Sequence, residues 1–199
     1  MRNSEIRGQR VDRNSEAVMY VGRYMVKGAA VMLATVLSVG VAAAAPLVSD
    51  FKMATLPQVK AMLGKDSGKV SGHTVIYSGK TVHVVAASVL PGFPFPSFEI
   101  HHVKNATLEI PAHATVDVTF INTNKGFGHS LEITKKGPPY GVMPQIQPVM
   151  AGTAFSPVPK GGKFGYVSFT WHPTAGTYYY VCTIPGHAAT DMYGKIIVK

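Results

Sequence analysis

Cysteine is nearly absent from this sequence, with Cys182 the only one in 199 residues. That excludes an intrachain disulfide, a four-cysteine zinc or iron–sulfur site, and a binuclear copper centre bridged by two cysteines. Acidic residues are scarce too: 10 Asp and Glu stand against 19 Lys and Arg, for a formal charge of +9. Charged residues make up only 15% while hydrophobic ones reach 46%, with 20 Gly and 14 Pro. Such a composition excludes a disordered polar chain or a long helical array and suits a compact, turn-rich domain. Beyond residue 45 there is no arginine. The basic charge therefore lacks the guanidinium fork for bidentate phosphate contacts, and nucleic acid is not expected as a partner.

The chain opens with the pattern of an export signal. Arg23 and Lys27 precede an uncharged run over residues 28–45, which ends in four alanines before Pro46. This is the order of a basic region, an apolar region and a small-residue cleavage site. The run is rich in Ala and Gly and barely reaches the roughly 20 apolar residues needed to span a bilayer, which disfavours a retained anchor. The segment before Met19 is polar and long for such a signal, so Met19 and Met25 are alternative starts. Residues 1–45 are expected to be removed as a signal peptide, leaving residues 46–199 as one domain. Those 154 residues keep 13 basic residues, all lysines, and seven carboxylates. A fold with few carboxylate ion pairs has little stability to lose when acid protonates them.

Within this domain, Thr55-Leu56-Pro57-Gln58 has the spacing of a capping box, and Leu56, Val59, Met62 and Leu63 share one helical face. One short helix is expected there. Beyond Gly68 the pattern becomes strands broken by turns. Val116, Val118 and Phe120 alternate with Thr115, Asp117 and Thr119, and Val167, Phe169 and Trp171 alternate with Tyr166, Ser168 and Thr170. Further strands are expected at residues 73–77, 80–88, 97–103, 107–110, 129–134, 177–182 and 195–198. Turn signals such as Ser78-Gly79, Pro138-Pro139 and Thr174-Ala175-Gly176 separate them. About nine strands with few helices predict an all-β sandwich of Greek-key type.

The chemistry concentrates near the C-terminus. Cys182, His187 and Met192 stand five and five apart, across a loop closed by Pro185-Gly186 and between two expected strands. A thiolate, an imidazole and a thioether suit copper cycling between Cu(I) and Cu(II). A mononuclear site of this kind also needs a second histidine. Among eight histidines the sequence favours His129, set in Gly126-Phe127-Gly128-His129-Ser130 at the start of an apolar strand. His172 is tied to Pro173 in a turn, and His101 and His102 are expected on opposite faces of one strand. Taken singly, Cys182 reads as a small buried hydrophobe, Met192 as core and His187 as a surface turn residue. A lone exported thiol is a liability unless something holds it. Two rival readings use the same residues. An exported cysteine hydrolase would take Cys182 as nucleophile with His129 or His187 as base, but it lacks an evident orienting Asn. A copper-storage or delivery module would expose its ligands, whereas a carrier buries them.

The loop resembles those of the cupredoxins, the small blue-copper electron carriers. The similarity runs through most of the chain, from about Ala54 to Lys199. It takes in Leu56-Pro57-Gln58-Val59-Lys60-Ala61-Met62-Leu63, Asn122-Thr123-Asn124-Lys125-Gly126-Phe127-Gly128-His129-Ser130 and Thr170-Trp171-His172-Pro173-Thr174-Ala175-Gly176-Thr177-Tyr178-Tyr179-Tyr180-Val181-Cys182. It implies a cupredoxin β-sandwich carrying one type 1 copper, with no catalytic activity of its own. By the same resemblance His129, Cys182 and His187 are strong copper ligands, Met192 is the long axial ligand and Ser130 lies beside the site. It also implies a monomeric periplasmic protein that exchanges electrons with c-type cytochromes in the iron(II)-oxidising respiration of acid-loving bacteria. Phe127, Ile184, Pro185 and residues 93–98 are expected to form an apolar surround that favours Cu(I). The chain departs from the family pattern at Leu131-Glu132, where an aromatic and Asp are usual, and at Asp191, where Gly is usual. These departures bear on the reduction potential and the choice of partner.

Overall fold

The computed structural model describes residues 45–199 apart from Pro91 and Phe93. Apart from Ala45, the expected signal peptide lies outside the described residues. In chain order the elements are β1 (Lys52–Thr55), helix α1 (Leu56–Leu63), β2 (Lys69–Ser71), β3 (Thr74–Ile76), β4 (Thr81–Ser88), β5 (Phe98–Ile100) and β6 (Val103–Lys104). There follow β7 (Thr107–Ile110), β8 (Thr115–Asn122), β9 (Glu132–Thr134), β10 (Val149–Gly152), β11 (Lys163–Trp171), β12 (Gly176–Val181) and β13 (Tyr193–Val198). They form two mixed sheets, ordered β1-β11-β8-β4-β5-β6 and β10-β9-β12-β13-β7-β3-β2.

The expected alternation places the core. In β8 and β11 the apolar residues Val116, Val118, Phe120, Val167, Phe169 and Trp171 are buried, while their polar neighbours are wetter. The two strands pair antiparallel from Gly165 opposite Asn122 to Trp171 opposite Val116. β4 runs parallel to β8 over its whole length and adds Val82, Val84 and Ala86 to the same core. From the other sheet come Leu108, Ile110, Tyr178, Tyr180, Ile196 and Val198. Phe98 meets both Phe120 and Tyr180 edge to face, at 6.3 and 5.3 Å between ring centres. Cys182 and Met192 belong to this same buried cluster, so the candidate centre grows out of the core.

The helix forms where expected. The Thr55 N–H donates to Gln58 Oε1 at 2.8 Å, which is half of the capping box, and Val59 is buried against Ala54, Val85 and Ile121. Leu56, expected on the buried face, is 51% exposed instead. The strand expected at residues 97–103 is two strands. His101 and His102 both take positive φ, 52° and 61°, and make the turn between β5 and β6 rather than opposite faces of one strand. The strand expected at residues 129–134 begins only at Glu132. Upstream of it the main chain is held by the 153–156 segment: His129 N–H donates to Ser156 Oγ, Ser156 N–H to His129 O, and Leu131 N–H to Thr153 Oγ1. Among the described residues no helix is long and apolar enough to cross a membrane.

Candidate metal centre

Two segments build the centre. Residues 126–130 reach it from the loop between β8 and β9. The second segment leaves β12 at Cys182 and returns to the sheet at β13. Gly128 is required at its position, because a Cβ there would sit 2.6 Å from Ser156 O. In the second segment Gly186 has φ 85°, a conformation that favours glycine. The next turn is a short 3₁₀ helix, Ala188–Thr190, ending on Asp191 in the left-handed region at φ 72°. Main-chain bonds close the loop on itself: His187 N–H donates to Ile184 O, Met192 N–H to His187 O, and Cys182 N–H to Met192 O at 3.1 Å.

This folding brings three of the four expected ligands to one point. Cys182 Sγ lies 3.7 Å from His129 Nδ1 and 3.5 Å from His187 Nδ1. All three donor atoms lie within 4.8 Å of one another, and no other such group occurs among the described residues. Bonds of about 2.0 Å to nitrogen and about 2.3 Å to sulfur, spread roughly tetrahedrally about one first-row ion, set N and S about 3.5 Å apart. The fourth expected ligand, Met192, is fully buried in the cluster that holds Cys182.

The electrostatics suit a cation. Burial, with His187 beside it, holds His129 down to about pKa 3, and burial also lowers His187. Both imidazoles therefore stay neutral and keep a lone pair for a metal. Burial pushes the Cys182 thiol up to about 11. That is the reverse of what a nucleophilic cysteine needs, and it disfavours the hydrolase. A bound cation would draw off the thiol proton and be neutralised by the resulting thiolate.

The surroundings are apolar on one side and hydrogen-bonded on the other. Phe95 and Phe127 stack at 5.2 Å and meet the His187 ring edge to face at 5.3 and 6.0 Å. Ile184 packs on the core, as expected of the apolar surround. Ser130 Oγ accepts the Thr183 N–H, and Thr183 Oγ1 in turn donates to Glu132 Oε1 at 2.5 Å. Glu132 is buried, which raises its pKa.

Residues 98–199 match the copper binding proteins of the plastocyanin/azurin family. Over 176 residues, 88% of this chain and 94% of the relative, the sequence is 76% identical to the rusticyanin of Acidithiobacillus ferridurans. The chain belongs to the rusticyanins. A second rusticyanin, from Acidithiobacillus ferrooxidans, is 80% identical over 150 residues, 75% of this chain and 97% of that one. Among solved structures, rusticyanin from Thiobacillus ferrooxidans superposes with a TM-score of 0.77 at 78% identity, covering 77% of this chain and all of that one. Reduced rusticyanin gives 0.74 at 82% identity, over 75% and 99% of the two chains. A more distant relation, auracyanin-A of Chloroflexus aurantiacus, is 48% identical over 46 residues, 23% of this chain and 27% of that one. Rusticyanins are blue-copper proteins of the cupredoxin fold, so copper is the cofactor and electron transfer the class of function.

Sequence reasoning missed several residues around the donors. The Asn124 amide stands 3.0 Å from His129 Nε2, on the ring edge opposite the one that faces the sulfur. Ser156 and Thr153 fix the His129 segment, and Thr183 links Ser130 to Glu132. Of the two alanines that follow His187, Ala188 is buried with Ile146, Val149 and Val181, while Ala189 is exposed.

Proposed function

We propose that the protein is a one-electron carrier whose copper would be held by His129, Cys182 and His187, with the Met192 thioether as a weaker fourth ligand. The observation that carries this reading is the convergence of the two Nδ1 atoms and the thiol at a buried point. Copper bound there supplies a one-electron Cu(I)/Cu(II) couple. The chain's own contribution is to fix the donors and keep water away. The loop's main-chain bonds hold the donors before metal arrives, so little has to move when the charge changes. Phe95, Phe127 and the buried core side chains leave a low-dielectric surround, which penalises the more highly charged oxidised state and raises the potential.

His187 is 7% exposed, and the half-exposed rings of Phe95 and Phe127 flank it. Val142, whose carbonyl accepts the Gly186 N–H, and Met143 add exposed apolar surface. This edge is the port for electrons. The small, transient contacts of redox partners use such patches. The wider assignment is a monomeric periplasmic carrier, residues 46–199 after removal of a signal peptide, exchanging electrons with c-type cytochromes in the iron(II)-oxidising chain of an acidophile. The likeness to the rusticyanins, the scarcity of carboxylates and the leader pattern support it.

Cys182→Ala tests the centre. The expected result is complete loss of the intense blue absorption with the fold retained, and a surviving strong visible band would refute the thiolate assignment. Ala189→Lys tests the port. The spectrum should be unchanged while electron exchange with a c-type cytochrome slows on the order of tenfold, since close approach then buries an unpaired charge. An unchanged rate would place the port elsewhere.

A further inference from the structure

Leu56, Val59 and Leu63 recur at helical spacing on one face of α1, where Val59 is fully buried, Leu63 partly so and Leu56 exposed. With Leu90 and Phe164 they floor a groove of about 460 Å³, a size that takes a small ligand or inserted side chains. Its rim carries Lys60, Lys125 and His102, and among the described residues no carboxylate lines it. Glu99, with Oε1 at 3.6 Å from His102 Nδ1, is buried below the rim. Thr123 closes one end of the groove. It leads directly into Asn124, whose amide touches the outer edge of His129. The groove therefore connects to the metal centre through His129, whereas the aromatic patch connects through His187.

From this juxtaposition we infer that the α1 groove is a second docking surface, for a protein redox partner that presents an apolar side chain ringed by carboxylates. The floor accepts the apolar group, and the two lysine ammoniums match the ring, with the exposed His102 imidazole beside them. A nucleic acid is disfavoured because the rim offers two lysines and no arginine fork for phosphates, and an uncharged apolar segment would gain nothing from the lysines. A carrier that receives an electron from one protein and passes it to another can hold both at once if they dock on different faces. This inference rests on the electron-carrier reading and deepens it.

The probe is the iron complex of three sulfonated bathophenanthroline ligands, aromatic in body and anionic at its edge. Its diamagnetic iron(II) form is titrated into the copper(I) protein and followed by NMR. The expected shifts centre on Leu56, Val59, Leu63 and Phe164, and binding weakens at least tenfold in the Lys60→Glu/Lys125→Glu double variant, whose blue absorption is unchanged. In the kinetic arm the iron(III) form takes one electron, leaving Cu(II) and iron(II). Its rate should fall about tenfold in the double variant, while the rate with the unsulfonated, cationic complex does not fall. Shifts confined to Phe95, Phe127 and Val142 would overturn the inference. So would groove shifts with unchanged rates, or groove resonances that move with protein concentration alone, which would make a second copy the occupant. Failure of the copper reading is separate: a protein that binds no copper still reports on the groove through the NMR titration.

Discussion

At Asp191 the backbone is left-handed, with φ 72° beside the buried Met192. An aspartate tolerates that region less well than glycine. Its main-chain oxygen accepts from Asn105 Nδ2 and the Tyr193 N–H, and its carboxylate lies beside the Tyr193 hydroxyl. Asp191→Gly should therefore stabilise the protein, by on the order of 1 kcal/mol, with the absorption spectrum essentially unchanged. A urea midpoint that falls instead would show that the carboxylate's contact with Tyr193 outweighs the backbone strain. The pairing of Cys182 with His187 was legible in the sequence because Cys, His and Met at fixed spacing around a turn are rare and chemically distinctive, and His129 because such a site lacks one nitrogen. Asn124, Ser156 and Thr183 were not. They are common polar residues, and what makes them matter is a contact of about 3 Å across a loop, which no spacing encodes.

At the scale of elements, β12 and β13 carry the ligand loop between them, in register from Gly176 opposite Val198 to Val181 opposite Tyr193. Gly194 faces Tyr180 in that ladder, and a Cβ there would sit 2.1 Å from Tyr180 Oη. That ring is buried and its hydroxyl donates to Ala106 O at 2.7 Å, so it cannot step aside freely. Gly194→Ala should cost about 1–3 kcal/mol by overpacking, read as a lower melting temperature of the copper-loaded protein. Strands that alternate over seven residues or more, β8 and β11, were plain in the sequence. The short ones were not: β1, β2 and β10 have only three or four residues, too few for a period to show. The histidine pair between β5 and β6 failed for another reason, since positive φ at His101 and His102 breaks an alternation that the side chains alone would allow.

For the molecule as a whole, the buried titratable groups pull stability in opposite directions with pH. Burial raises the carboxyls of Asp66, Glu99 and Glu132. The folded state then holds protons that the unfolded state has lost, and stability falls as pH rises from the ordinary carboxylate range through the raised values. Glu132→Gln should consequently be more stable than the parent at pH 7 and little different at pH 3, compared by urea midpoints. His129 acts oppositely: its folded value of about 3 lies below the ordinary 6.5, so stability is lost as pH falls through that interval. The same low value delays proton competition for the copper. Dialysis at pH 4 should leave the metal in place, and loss between pH 4 and 6 would contradict a neutral, buried His129. The all-β class was legible at this scale because turns and alternation are local signals. The mixed sheet order was not, because the parallel pairings of β4 with β8 and β7 with β13 join segments far apart in sequence.

β13 lies at the middle of its seven-stranded sheet, between β12 and β7, yet it is the last strand in the chain. The sheet cannot close without this strand, because β7, β3 and β2 are hydrogen-bonded to the rest of it only through Tyr193–Val198. Removing even these six residues should leave two half-sheets that cannot find each other, and with them a Cys182 that never meets its histidines.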